Sequence, residues 1–331
     1  MDPTSSHRRR WGTFGSPDDT LAAALPYVLL VVMVVWLGSV QPASLTLGYA
    51  QNLVNLSLVL VLIAFGQGIV TMSGGIDLSV PGLISLVNAA AATEMSDPAR
   101  SAVVALLLIA FGWVPGALNG LLIVHGRMQP FIVTLATWFV WGGIAFYVLP
   151  GPGGAVDGTI PGLLFVRYLG LSGTTWILLA LVVFGLWFGR TRLGTSIRAI
   201  GSDRTSARHS GVAVGRTEIA AYMLSSWFAV LSGLLLSLQS MAGEPTAGNS
   251  YVLPMITAVV VGGVSLSGGK GSLVGPVVGA LVLAYLTGVT FSLRLQPQWN
   301  QIFQGVLLVL SIAATTLLQH LTRLVRDRAP A

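Results

Sequence analysis

The 331-residue chain is 54% hydrophobic and only 8% charged, with a mean hydropathy of +0.81. An ordinary soluble domain carries about a quarter charged residues and could not hide this much apolar surface. The absence of cysteine excludes disulfides, thiolate metal sites and cysteine nucleophiles, and the four histidines (His7, His125, His209, His320) show no metal-ligand spacing.

A bilayer-crossing helix needs about 20 apolar residues. In chain order the sequence predicts ten such segments, at 21–40, 52–72, 80–94, 102–124, 130–149, 173–189, 217–241, 251–266, 273–291 and 301–319. The first follows Arg8-Arg9-Arg10 and is read as a retained helix rather than a signal peptide, because it is too long and no small-residue cleavage pattern follows it. The third and eighth are short for a crossing and rich in Gly, Ala and Pro. The expected fold is an all-α, polytopic bundle of about ten spans. The expected organisation is a tail at 1–20, a membrane domain at 21–320 with a polar loop at 190–216, and a tail at 321–331.

Orientation follows from the short basic loops. With the N-terminus inside, 14 of the 17 Lys and Arg residues fall on the cytoplasmic side and 3 (Arg100, Arg167, Arg294) outside. Both termini are then cytoplasmic. The net charge of +6 and the pI near 10.2 express this bias, not a nucleic-acid footprint.

Two Gly-rich breaks interrupt the spans. The first runs Ser73-Gly74-Gly75-Ile76-Asp77-Leu78-Ser79, closed by Pro81. Paired glycines weaken a helix and proline removes a backbone donor. Irregular backbone at membrane depth survives only where protein or water satisfies it. Asp77 is the one acidic residue between Asp19 and Glu94. It fits two roles, a cap on the following helix and a gate or substrate contact. The second break spans Gly262 to Ser272. It fails the phosphate-loop pattern, which requires Gly at Val264 and Ser or Thr at Gly271. Gly116 with Gly120, and Gly275 with Gly279 and Ala280, are read as close-packing positions. Asn55, Gln67, Asn88 and Asn119 are polar residues in spans, either bonded between helices or lining a polar path. In the loop at 190–216, Asp203–Ser210 is expected to form a short helix with Gly201 and Gly211 at its caps, a docking element for a soluble partner.

Four stretches then carry a resemblance: SGGIDLS at 73–79, GALNGLLIVHGRMQPFIVTL at 116–135, GTSIRAIGSDRTSARHSG at 194–211 and VVGGVSLSGGKGSLVGPVVG at 260–279. In this order and spacing they resemble the membrane permeases of sugar-type ATP-binding-cassette importers, the ribose, xylose, galactose and galactofuranose permeases. The chain departs from that pattern at Pro81, at Trp141-Gly142 and at Val252–Met255, so the resemblance specifies a family and not one sugar. It implies a multi-pass subunit of the bacterial plasma (inner) membrane that dimerises with a second permease copy or a related permease. Sugar would arrive from an extracytoplasmic binding protein, and cytoplasmic ATPase subunits would dock on the coupling helix. The chain itself would be no enzyme and hold no cofactor, ATP being bound by the partner ATPase. Candidate pathway or gate residues are Ser73, Gly74, Gly75, Asp77, Asn119, Thr134, Gly262 and Gly263. Candidate coupling residues are Gly201, Asp203, Ala207, Arg208 and Gly211.

Other classes compete. An ion-driven secondary transporter should carry several embedded carboxylates, and Asp77 is the sole candidate. A membrane enzyme would want clustered acids, histidines or a metal site. A permease for amino acids or nucleosides remains open within the importer class.

Overall fold

The computed structural model describes residues 17–328, with side chains from 24 to 314. Most of the two expected tails, including Arg8-Arg9-Arg10, lies outside the described residues. The chain forms helices α1 (Pro17–Val40), α2 (Leu47–Met72), α3 (Val80–Glu94), α4 (Pro98–Phe111), α5 (Trp113–Val124) and α6 (Pro130–Val148). After them come the short α7 (Thr159–Leu164), a hairpin of β1 (Arg167–Tyr168) and β2 (Leu171–Ser172), α8 (Gly173–Phe188), α9 (Arg192–Ser202) and α10 (Arg204–His209). The remainder is α11 (Val214–Ser240), α12 (Val252–Val261), α13 (Val274–Ser292) and α14 (Gln298–Arg328).

Local chemistry sets many of these boundaries. Thr46, Asp97, Ser172, Thr191 and Asp203 each precede a helix and accept hydrogen bonds from its first free N–H groups. Pro98 and Pro130 open α4 and α6, where a missing N–H costs nothing. The 102–124 segment is divided at Gly112 because Pro115 cannot donate to the carbonyl of Phe111. Beside it the Ser226 hydroxyl donates to the Gly112 carbonyl at 2.8 Å, tying the break to α11.

The ten expected segments all coincide with helices, but not with ten full-length crossings. Among the described residues five helices, counting α4 with α5, are long and apolar enough to span a bilayer. A sixth results if α8 and α9, bent by 69° to one another, are one broken span. The eighth segment, expected over 251–266, is corrected to the ten residues of α12, entered through a 3-10 turn at Ala247–Tyr251. α3 has 15 residues, about 22 Å at 1.5 Å per residue, against a hydrocarbon core of about 30 Å.

α2 is the axis of the bundle: every side chain from Ser57 to Met72 is buried. Phe65 lies at its centre, with ring centroids 5.9 Å from Phe184 and 4.9 Å from Phe228. By contrast the α4–α5 and α6 spans are 22% and 28% buried, against 83% for α2, so they form the rim. They expose Leu106, Leu107, Phe139 and Phe146, an apolar surface suited to hydrocarbon rather than water. Small residues let backbones approach where sequence spacing indicated. A side chain at Gly116 would meet the Tyr222 carbonyl and Ser226, and one at Gly120 would meet Ile219, so α5 lies tightly on α11. Gly275 and Gly279 likewise close α13 onto Gly262 and the Ala258 carbonyl of α12.

One end of the bundle is sealed by polar ties. The β1–β2 hairpin turns through Leu169 and Gly170, both at positive φ, the signature of a two-residue primed turn. Gln51 of α2 donates to the Gly170 carbonyl at 2.8 Å and accepts from Ser172 N–H at 3.2 Å. At the same end Asp157 accepts from the Thr159 N–H at 2.9 Å, and the Thr159 hydroxyl and N–H hold its carboxyl below the usual carboxylate range. The opposite end gathers the C-termini of α2, α5 and α8 with α9, α10 and the 262–273 loop, and with them most of the arginines among residues 24–314.

Candidate functional site

The first break is held by a chain of side-chain bonds. Asn119 of α5 donates from Nδ2 to the Ser79 hydroxyl at 2.9 Å. Ser79 in turn donates from Oγ to Asp77 Oδ1 at 2.6 Å and from its N–H to the same oxygen at 3.0 Å. Gln67, with its amide set to satisfy both partners, donates to the Asp77 carbonyl at 3.1 Å and accepts from the Asp77 N–H at 3.2 Å. Thr134 of α6 donates to the Pro130 carbonyl at 3.0 Å and lies 3.4 Å from the Ile76 carbonyl. Backbone that leaves helical pairing is therefore met by α2, α5 and α6.

Asp77, Ser79, Asn119 and Thr134 are each fully buried. Asp77 Oδ2 and Asn119 Oδ1 have no hydrogen-bond partner among the described residues. Ser225 and Tyr222 of α11 stand beside the carboxylate. Asp77 accepts from the Ser79 N–H and hydroxyl in the turn that leads into α3, while the N-cap position of α3 is Ser79, which makes no side-chain cap bond.

The loop at 190–216 differs from expectation at one end. The short helix α10 forms, with Gly211 after it at φ +83°, where a left-handed residue ends the helix. Its N-cap, however, is Asp203 and not Gly201: Asp203 Oδ1 accepts from Thr205 N–H at 2.9 Å and Ser206 N–H at 3.1 Å. A carboxylate offers those N–H groups an acceptor that glycine lacks. Gly201 instead lies inside α9, where a side chain would run into the Met72 carbonyl and the Gly269 N–H. Those two groups are hydrogen-bonded to each other at 3.0 Å. Gly268 in turn would meet Gly74 and Gly201 if it carried a side chain, and Gly269 would meet Ser202. The two breaks and the coupling loop thus converge on one backbone-to-backbone joint.

The structure therefore brings Ser73, Gly74, Gly75, Asp77, Asn119 and Thr134 together around the first break. It sets Gly201 against both breaks, and Ala207 in a small apolar seat with Ile200 and Val214. Gly262 and Gly263 lie at the turn after α12, where Gly262 closes on Gly275. Sequence reasoning passed over Tyr222 and Ser225, and also Arg204, which donates to Glu218 at 2.8 Å. Polar residues at 218, 222 and 225 within an apolar helix were the available signal.

The chain matches, over residues 49–312, a family profile described as the branched-chain amino acid transport system permease component. The chain belongs to this permease family. It is 31% identical over 292 residues to the ribose import permease protein of Escherichia coli (strain K12), covering 86% of this chain and 91% of that protein. It is 33% identical over 291 residues to the ribose import permease protein of Bacillus subtilis (strain 168), covering 87% and 90%. It is 30% identical over 288 residues to the autoinducer 2 import system permease protein of Klebsiella pneumoniae subsp. pneumoniae, covering 86% and 83%. No solved structure matches. The permease is a multi-pass protein of the bacterial plasma (inner) membrane, a transport component rather than an enzyme. The resemblance carried by the four motifs extends over nearly the whole chain.

Proposed function

We propose that this permease is the translocating subunit of an ATP-binding-cassette importer for a monosaccharide, which an extracytoplasmic binding protein delivers. In this reading two permease copies (or one copy with a related permease) enclose the path. Each contributes about ten membrane segments with both termini cytoplasmic. Cytoplasmic ATPase subunits bind ATP and press on α10. The observation that carries the reading is the joint at Gly201. A capped, arginine-bearing helix follows directly on the end of α9, which is wedged against both breaks, so a push from outside the bilayer has a rigid route to the backbone at 73–79. No covalent chemistry is asked of this chain, and the pathway and gate residues act by moving. Asp77, Asn119 and Thr134 hold the first break in shape, and Ser73–Gly75 and Gly262–Gly263 supply its bends and those of the second break. Asp203, Ala207, Arg208 and Gly211 shape the face that the ATPase meets.

The test is reconstitution of the permease in proteoliposomes with its ATPase and binding protein. Uptake that needs ATP and the loaded binding protein is expected. Uptake abolished by a protonophore and indifferent to ATP would refute it in favour of a secondary transporter. The family description names branched-chain amino acids, whereas the relatives that match along nearly their whole length are named for ribose and autoinducer 2. A binding protein that retains an amino acid and no sugar would overturn the sugar assignment.

A further inference from the structure

α11 reaches from the coupling loop to the buried break, and its contacts at the two levels lie on one face. In its first turns Glu218 accepts from Arg204, the first residue of α10, at 2.8 Å. The Glu218 side chain is 9% exposed and that of Arg204 55%, so the arginine reaches inward from the surface to a carboxylate that is nearly sealed off. A buried carboxylate is costly when its partner is taken away, and a charge-assisted bond is directional where an apolar contact is not. The Ala207 seat on Ile200 and Val214 alone leaves α10 free to slide. Four residues beyond Glu218 is Tyr222 and three further is Ser225, the spacing of one helix face. The Tyr222 hydroxyl lies against Gly75, 2.5 Å from where a side chain would begin, and both residues stand beside Asp77.

We infer that the Arg204–Glu218 pair is the tie that makes α10 and α11 move as one body, so that displacement of the docking helix reaches the first break through Tyr222 and Ser225. This rests on the importer reading and names the residues that carry its coupling. Glu218 and Arg204 are positioning residues, so the quantity to measure is solute imported per ATP hydrolysed in the full reconstituted importer.

Glu218→Gln and Arg204→Gln should each lower that ratio by roughly three- to tenfold while still co-purifying with the ATPase, and the charge swap Arg204→Glu with Glu218→Arg should recover most of it. Single variants with the parent ratio, or a swap no better than either single, overturn the inference. The chain has no cysteine, which permits a second measurement should the charge variants assemble poorly. Arg204→Cys with Glu218→Cys should be uncoupled when reduced and recover coupling when the thiols are joined by a short bis-thiol-reactive linker. Loss of residual transport on linking, reversed by cleaving the linker, would show that the two helices must move apart and would overturn the tie. Failure of the importer reading is separately visible, since it appears as ATP-independent uptake by the unmodified permease.

Discussion

Replacing Gly201 by alanine isolates the joint between the coupling loop and the two breaks. In a helix the exchange alone favours alanine by about 1 kcal/mol. At Gly201 the new methyl group would overlap the Met72 carbonyl and the Gly269 N–H, both backbone, so no side chain can rotate out of its way. Either α9 lifts from the end of α2 or the 3.0 Å bond from Gly269 to Met72 opens. Overpacking of this kind costs about 1–3 kcal/mol and the lost bond about 1 kcal/mol more. The net expectation is a destabilisation of about 1–3 kcal/mol. Gly142 of α6, with nothing within 4 Å of an added methyl group, is the matched control and should be neutral or slightly stabilising when changed to alanine. The assay is thermal unfolding of purified permease in detergent, followed by size-exclusion chromatography after heating. Gly201→Ala should lose its monodisperse peak at a lower temperature than the parent, with Gly142→Ala at or above it. A Gly201→Ala variant as stable as the parent would refute the close approach and with it the joint.

Three other outcomes follow from the same packing. Asp203→Ala removes the acceptor for two N–H groups of α10 and should cost about 1 kcal/mol of local helix stability, read as faster hydrogen exchange across 204–209. Unchanged exchange would mean that the cap is not what holds this helix. Phe65→Ala, at the centre of α2, should destabilise less than the 3–5 kcal/mol known for soluble cores, because the transfer term is small where lipid is the alternative solvent. A loss larger than that, measured by unfolding in mixed micelles, would contradict the membrane-embedded reading of this core. Gln51→Ala strips two bonds from the β1–β2 hairpin and leaves a buried N–H unpaired at about 1–3 kcal/mol. Limited proteolysis should then cut near 169–170 well before the parent is cut.

The sequence by itself determined whatever depends on a residue and its near neighbours. Charge scarcity marked a membrane protein, and the basic loops predicted an orientation for it. Paired glycines with Asp77 and Pro81 marked the break before α3. The polar run from Asp203 to Ser210 marked α10, while Gly116 and Gly120 announced a close helix contact. Where local reasoning failed at α10, it set the N-cap at Gly201, and the carboxylate of Asp203 holds that position because its side chain can accept N–H bonds and glycine has none to offer. Tertiary structure decided what lies next to what. Lipid and a helix-packed interior are equally apolar, so the pattern that separates inside from outside in a soluble helix is nearly silent here. Nothing in the composition of α2 and α6 told that one is buried all round and the other lies on the rim. For the same reason only the assembled bundle could show Gly201 closing on Met72 and Gly269, or Arg204 meeting Glu218. Gly201 meets residues far from it in the chain, Arg204 and Glu218 lie 14 residues apart across a turn between two helices, and the energies of both contacts depend on distances that no local spacing encodes.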